Sequence, residues 1–307
     1  MQQIIRYLFS IILFFSLGSC HAPQKKNTEE ITIVTTTNIL RSLVEAIAPN
    51  EFSVTSIMGA GVDPHGYKAS QGDLNKFMQA NMIFYQGLYL EGKMISVLEK
   101  LNLQIPTREV SGVIPKMLLI KDDDFHEAVD PHVWFSISLW KLCAQYVGDA
   151  LIEQYPKYTS EIQNNTIAYL AELDELHEWS LAQFSAIPKD QKILISAHDA
   201  FSYLGRDYDL SVYSLQGIST LSDFGLKSLK EIGDVIIEKQ VPAIFLETSV
   251  SDRSILALIS GVKRKGYPIK TGGTLYSDSL GPIGSEADNY FSMFRFNVTT
   301  ISKALKN

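Results

Sequence analysis

Two histidines of this chain follow the same short motif. Val-Asp-Pro-His occurs in VDPHGYKAS and again in VDPHVWFSI, and the two copies end at His65 and His132. The residues around the copies differ, so a duplicated domain does not explain the repeat. Proline fixes its own φ and biases the residue before it towards an extended backbone. Each histidine therefore follows a stiff segment, which suits a side chain that has to point at a fixed position.

Two further side chains with metal-binding chemistry follow predicted strands. His198 comes directly after the apolar run KILIS, and Asp278 lies in a Gly-rich loop after YPIK. In open α/β sheets, ligands bind beyond the carboxyl ends of strands. His65 meets the same criterion, so side chains from both halves of the chain can converge in one cleft.

These four side chains form a donor set suited to a transition metal. Three imidazoles and one carboxylate suit zinc, manganese or iron, whereas calcium and magnesium require more oxygen ligands. Taken singly, each histidine fits a structural role in a loop better than a role as a ligand. The repeated motif favours a shared chemical task. Of the other histidines, His21 lies in a polar tether, His126 in a short acidic loop and His177 in a long predicted helix.

Alternating strand and helix patterns must position these residues. Apolar and β-branched runs predict strands in ITIVTTT, FSVTSIM and MIFYQG, with helices between them. The residues S-Q-G-D, which begin at Ser70, are a capping box and predict a helix start. A β-α-β order implies a parallel sheet with helices on its faces. The alternation resumes at KILIS and continues to a C-terminal helix in NYFSMFRFNVTTISKALKN.

A long segment without strand signals separates the two alternating regions. KYTSEIQNNTIAYLAELDELHEWSLAQF predicts one long helix, and Pro188 closes this region. We therefore predict an α/β fold with two (β/α) lobes, each with a parallel sheet, joined by that helix. The N-terminal lobe spans residues 31–156, the linking helix residues 157–187 and the C-terminal lobe residues 188–307, with the metal site in the cleft between the lobes.

The first twenty residues have the composition of a secretory signal peptide. Arg6 is the only charge in MQQIIRYLFSIILFFSLGSC, and the apolar core after it is too short to span a bilayer as a helix. The segment ends in Leu-Gly-Ser-Cys, which resembles a bacterial lipobox. It predicts that residues 1–19 are removed, that Cys20 is lipidated and that residues 20–30 form a tether. An ordinary signal peptide with an accidental cysteine is the alternative.

The overall composition limits the partners of the chain. Its 307 residues are 46% hydrophobic and 20% charged, which is typical of a globular protein of this length. The formal net charge of −7 argues against nucleic acid as a partner, because a phosphate backbone requires a basic surface. The only cysteine besides Cys20 is Cys143. It lies among apolar residues at helical spacing, and we expect it in the core.

Six segments together resemble the zinc- and manganese-binding lipoproteins of bacterial ABC importers, also called metal-binding adhesins. They are DPHGYKASQGDL, DPHVWFS, ISAHDAFSYLGRDY, LQGIST, PAIFLETS and LYSDSLG, and the likeness spans about residues 31 to 305. The resemblance implies two (β/α) lobes, a rigid linking helix and one metal ion at the interface of the lobes. It also implies the ligands of that ion, which are His65, His132, His198 and Asp278.

Two departures from relatives leave the metal open between zinc and manganese. Many dedicated zinc binders carry a long His-rich loop before the second histidine, where this chain has LIKDDDFHEAV. Many manganese binders have a glutamate at the third ligand position, where this chain has His198. Glu247 ends the predicted strand PAIFLET on the same side as the proposed ligands. It is a candidate partner that orients a histidine, as metal sites commonly have.

The resemblance implies a binding protein rather than an enzyme. We expect an extracytoplasmic, membrane-anchored lipoprotein, monomeric, that captures zinc or manganese and delivers it to the membrane permease of an ABC importer. A secreted metal-dependent hydrolase is the alternative. The sequence contains neither H-E-x-x-H nor G-x-S-x-G, and four protein ligands would close a tetrahedral site to water. A surface adhesin is a third interpretation, which rests on the older name of the family alone.

Overall fold

The computed structural model describes residues 30–121, 128–221 and 225–306, and residues 31–307 form one compact unit. The predicted signal peptide, Cys20, His21 and His126 lie outside the described residues. Within these residues the chain forms eight β-strands and nine α-helices, so the predicted α/β class is confirmed. None of the described helices is both long and apolar enough to cross a membrane.

The first half of the chain builds a four-stranded parallel sheet in the order β2-β1-β3-β4. Its strands are β1 (Ile31–Thr35), β2 (Phe52–Ser56), β3 (Met82–Tyr85) and β4 (Thr107–Glu109). The helices between them are α1 (Asn38–Ile47), α2 (Gln71–Met78) and α3 (Ile95–Leu101). The first three strands are where the sequence predicts them. The short strand β4 and the helix α3 carry no clear sequence signal and were not predicted.

The second half of the chain contains two pairs of parallel strands and the longest helix. The strands are β5 (Ile193–Ser196), β6 (Ser211–Ser214), β7 (Ala243–Glu247) and β8 (Lys270–Leu275). β5 pairs with β6, β7 pairs with β8, and β5 lies beside β7. The helices are α4 (Ile137–Gln154), α5 (Thr159–Ser185), α6 (Ser202–Tyr208), α7 (Leu226–Glu238), α8 (Arg253–Arg264) and α9 (Tyr290–Leu305).

The serines that precede α2 and α4 begin those helices in different ways. Ser70 Oγ accepts the N–H of Asp73 at 3.2 Å and Asp73 Oδ2 accepts the N–H of Ser70 at 2.8 Å, so the predicted capping box is confirmed. Ser136 precedes α4 but makes no capping bond. Its hydroxyl donates to Asp207 Oδ2 at 2.5 Å instead, which ties the start of α4 to α6.

One continuous apolar core runs along the long helix α5. It joins the inner face of that helix to α1, α4 and α9, and it includes Ile33 of β1 and Phe245 of β7. Cys143 of α4 is buried in this core, as its apolar neighbours predict. The helix α5 begins and ends within two residues of the predicted segment. The lobe boundaries at residues 156 and 188 stay a prediction.

Candidate metal site

The four predicted ligands lie together. His65 lies in the loop between β2 and α2, His132 precedes a short 3-10 turn ahead of α4, His198 follows β5, and Asp278 follows β8. Each side chain offers one nitrogen or oxygen atom, and these four atoms lie within 4.8 Å of one another. All four residues are buried, and the most accessible of them, His65, is only 5% exposed. The fold therefore brings together side chains that are up to 213 positions apart, from residue 65 to residue 278.

Four of the six distances between these atoms match the edges of a coordination tetrahedron. His132 Nε2 lies 3.3 Å from His65 Nε2, 3.4 Å from His198 Nε2 and 3.4 Å from Asp278 Oδ1. His198 Nε2 is likewise 3.4 Å from Asp278 Oδ1. A tetrahedral zinc ion with ligands at about 2.0–2.1 Å has edges of about 3.3–3.4 Å between those ligands. These four separations are thus the ones that a small divalent cation requires, and all four atoms lie within 4.8 Å of one another.

One carboxylate oxygen among the four proposed ligands lacks a well-aligned hydrogen bond. Asp278 Oδ1 is buried and forms no well-aligned hydrogen bond among the described residues, with Nε2 of His132 and of His198 3.4 Å away, while Oδ2 accepts the hydroxyl of Ser249 at 3.2 Å. A buried carboxylate oxygen costs free energy unless a proton donor or a cation lies beside it. The orientation of Asp278 is therefore the one expected of a cation ligand.

The two Asp-Pro-His copies form the same turn. Asp63 Oδ1 accepts the N–H of His65 at 2.9 Å, and Asp130 Oδ1 accepts the N–H of His132 at 2.9 Å. Such a bond from an aspartate to the backbone two residues on stabilises a tight turn. Asp130 Oδ1 also lies 2.7 Å from His132 Nδ1, whereas Asp63 Oδ2 accepts the hydroxyl of Thr220 at 2.6 Å. Sequence reasoning missed the role of Asp130, although its position in the motif is the available signal.

Glu247 lies where the sequence predicts a histidine partner. Its Oε1 accepts the backbone N–H groups of Ala197 and His198 at 2.7 Å and 3.0 Å, and its Oε2 lies 2.6 Å from His198 Nδ1. Asp130 has the equivalent position beside His132. A carboxylate on one ring nitrogen fixes the orientation of the imidazole and raises the basicity of the other nitrogen. Two of the three histidines therefore present Nε2 to the centre of the site from a fixed ring.

Charges around the site separate the proton affinities of the three histidines. Burial lowers the pKa of His132, but Asp130 and Asp278 outweigh it and raise the pKa to about 9. Burial also lowers the pKa of His198, but Glu247 and Asp278 raise it well above its ordinary value. Burial lowers the pKa of His65 to about 3, which the charge of Asp278 only partly opposes.

The pKa of the proposed carboxylate ligand, Asp278, favours its ionised form. Burial raises the pKa of Asp278, but the neighbouring His198 and His132 outweigh this effect and hold the pKa well below its ordinary value. Without a metal ion, these pKa shifts favour an anionic Asp278, protonated imidazoles at His132 and His198 and a neutral imidazole at His65. A cation that enters takes the place of those protons.

Comparison with known proteins matches almost the whole chain to one family. Residues 33–304 match the family described as "Zinc-uptake complex component A periplasmic" (ZnuA). The chain is 41% identical to the manganese-binding lipoprotein MntA of Bacillus subtilis over 303 residues, which cover 97% of this chain and 99% of that protein. It is 35% identical to the zinc-binding protein TroA of Treponema pallidum over 275 residues, which cover 89% of this chain and 88% of that protein.

Solved structures show the same likeness. The periplasmic zinc-binding protein TroA of Treponema pallidum superimposes with a TM-score of 0.88 at 34% identity, over 91% of this chain and 100% of that chain. Fe(III)-bound YtgA of Chlamydia trachomatis superimposes with a TM-score of 0.79 at 26% identity, over 90% of this chain and 98% of that chain. The metals in these names differ, so likeness of fold does not by itself select the ion.

Proposed function

The chain belongs to the family of zinc-uptake complex component A, periplasmic, and on that premise we propose that it captures a divalent transition metal outside the cytoplasm for an ABC importer. The observation that carries this proposal is the group of three Nε2 atoms and one carboxylate oxygen, in which four of the six separations are 3.3 or 3.4 Å. The ion is cargo that the protein binds and releases. No catalytic step is part of this role.

We propose that His65, His132, His198 and Asp278 are the ligands of the ion. The three imidazoles bind through Nε2, because Nδ1 of His132 and of His198 faces a carboxylate. Asp278 contributes Oδ1, the buried oxygen that forms no well-aligned hydrogen bond among the described residues. With four protein ligands a tetrahedral ion has no open position for a reactive water, which favours binding over metal-dependent hydrolysis.

Zinc and manganese are both cargo candidates, and the donor set favours zinc. Three imidazoles and one carboxylate offer a single anionic ligand, and imidazole is a good ligand for zinc. Zinc also exceeds manganese in general affinity for nitrogen and oxygen sites. The names of the relatives support both ions, since MntA is called manganese-binding and TroA zinc-binding.

The proposed anchor and partners follow from the sequence and from the relatives. Residues 1–19 are removed, Cys20 is lipidated and residues 20–30 tether the protein to a membrane. More than one acyl chain, as bacterial lipoproteins carry, gives stable anchoring. Relatives are called lipoproteins and ABC transporter substrate-binding proteins, which supports this location and a membrane permease as partner. The metal lies between lobes 31–156 and 188–307 of a monomer.

Metal analysis of protein purified without added metal, followed by calorimetric titration of the stripped protein, tests the proposal. We expect about one zinc or manganese ion per chain, and rebinding of one zinc ion after stripping. A folded chain with all four ligands intact that neither retains nor rebinds a divalent metal would overturn the proposed function.

A further inference from the structure

A cavity of about 910 Å³ lies beside the buried site. Of the four proposed ligands, only His65 lines this cavity. His65 is also the most exposed of the four, at 5%, while His132 and His198 are fully buried. An ion that arrives through the cavity therefore meets His65 before the other three ligands.

Asp199 is the one carboxylate among the described residues that line the cavity. It directly follows His198, so neighbouring side chains of one loop serve the buried site and the cavity. Ser202 Oγ donates to Asp199 Oδ1 at 2.6 Å, and the N–H of Asp199 donates to the carbonyl of Gly217 at 3.2 Å. These two bonds fix the residue in the wall of the cavity, where it remains partly exposed.

Two lysines also line the cavity, so Asp199 is the side chain there that attracts a cation. Lys93 and Lys121 line the same cavity and are exposed, and their positive charges oppose the approach of a divalent cation. A negative charge on the wall of a cleft raises the local concentration of a cation and its rate of association. A carboxylate also suits a hydrated ion, because its oxygen can replace one water while the others remain.

We propose that Asp199 is the entry ligand of the site, a carboxylate that takes the hydrated cation from the cavity and passes it to His65. This inference rests on the proposed function. Asp199 belongs to the route of the ion and not to its final coordination shell, since it is not among the four residues whose atoms converge. It therefore affects how fast the ion enters and leaves more than how tightly the ion is held.

Rapid-mixing kinetics with Zn²⁺ on the stripped protein and on Asp199→Asn test the entry ligand. Trp134, whose ring centroid is 5.2 Å from that of His132, is a built-in fluorescence reporter of occupancy. We expect the variant to bind Zn²⁺ about 10-fold more slowly, at the low end of the range known for electrostatic steering. Release should slow as well, because entry and exit share one route, so the equilibrium affinity should fall by a smaller factor than the association rate.

Two matched variants separate this role from a general effect of charge. Asp199→Glu keeps the carboxylate and should associate at close to the parent rate. Asp209→Asn removes the same charge from an exposed residue outside the cavity, at a φ of 60° that asparagine tolerates, and should also match the parent.

Several outcomes would overturn the entry role. Parent-like association of Asp199→Asn, or equal slowing in Asp209→Asn, would exclude a local capture step. Weaker affinity caused only by faster release would make Asp199 a structural support of the site. In each of these cases the parent still binds Zn²⁺, whereas failure of the parent to bind it would contradict the proposed function itself.

Discussion

The two Asp-Pro-His segments form the same backbone turn, but their aspartates hold different partners. In both, the aspartate accepts the histidine N–H at 2.9 Å. Asp130 also contacts the ring of its own histidine, with Oδ1 2.7 Å from His132 Nδ1. Asp63 turns its second oxygen to Thr220, which is 157 positions away in the sequence. The aspartate of the second copy thus bonds only within its own segment, whereas the aspartate of the first copy also bonds to a residue in the second half of the chain.

The pKa values of the two histidines of the motif are shifted in opposite directions, because Asp130 and Asp278 raise that of His132 while burial lowers that of His65. The pKa of His132 is raised to about 9, and the pKa of His65 is lowered to about 3. The motif fixes the backbone, while the residues packed around each ring set its chemistry. His132 is the histidine whose proton a metal ion must displace, and His65 is the one that is ready to bind.

Removal of His132 should have the largest effect. Its Nε2 lies within 3.4 Å of the atoms offered by the other three residues, so His132→Ala removes the central ligand. Loss of a partner outside the coordination shell typically costs about 10–100-fold in affinity, and loss of a direct ligand should cost at least about 100-fold. Calorimetry measures the affinity, with His177→Ala as control, because that histidine lies on α5 and contacts Tyr208 of α6 instead. Parent-like binding by His132→Ala would reduce the repeated motif to a signal for loop formation.

Metal affinity should rise with pH through the neutral range. At pH 7 the metal-free site holds protons on His132, with a pKa of about 9, and on His198, with a raised pKa, so binding should release about two protons. The bound state carries fewer protons than the free state, so each released proton raises the apparent affinity about tenfold per pH unit, below the pKa of His132. Titrations in buffers of different ionisation enthalpy count the protons. Binding without proton release would contradict the assigned protonation.

The aspartates of the two motifs should differ in importance. Asp130→Asn replaces the carboxylate beside His132 Nδ1 and should weaken metal binding by about 10–100-fold. Asp63→Asn keeps an oxygen that can accept the N–H of His65, and it should have a smaller effect. The number of protons released should fall in Asp130→Asn only. Equal losses of affinity in the two variants would remove the distinction between the segments.

The smallest expected effect concerns the choice of metal. We expect the parent to bind zinc more tightly than manganese, and an oxygen ligand in place of His198 to narrow this gap. Because Glu247 Oε2 lies 2.6 Å from His198 Nδ1, a new carboxylate there would face another one. His198→Glu is therefore best combined with Glu247→Gln, with Glu247→Gln alone as control. Competition titrations at one pH compare the two ions, and a parent that binds manganese as tightly as zinc would show that geometry, rather than ligand type, sets selectivity.

Much of the fold and the positions of the candidate ligands were predictable, because they depend on local patterns. Short apolar runs indicate the alternating strands and helices. Glu247 ends one strand pattern, and His198 and Asp278 lie in the loops after two others. The strand β4 has three residues, which are too few to show the alternation of apolar and polar residues that indicates a strand. The bond between Asp63 and Thr220 depends on how distant segments pack, and no local pattern encodes it. The cavity beside Asp199 likewise depends on how distant segments pack, so the sequence did not predict it.

Anomalous diffraction from crystals of the zinc-loaded protein tests the central claim most directly. The account predicts one peak per chain, within about 2.0–2.2 Å of Nε2 of His65, His132 and His198 and of one Asp278 oxygen. A peak bound by other residues, or a fully loaded chain in which either Asp-Pro-His histidine lies away from the metal, would contradict the account.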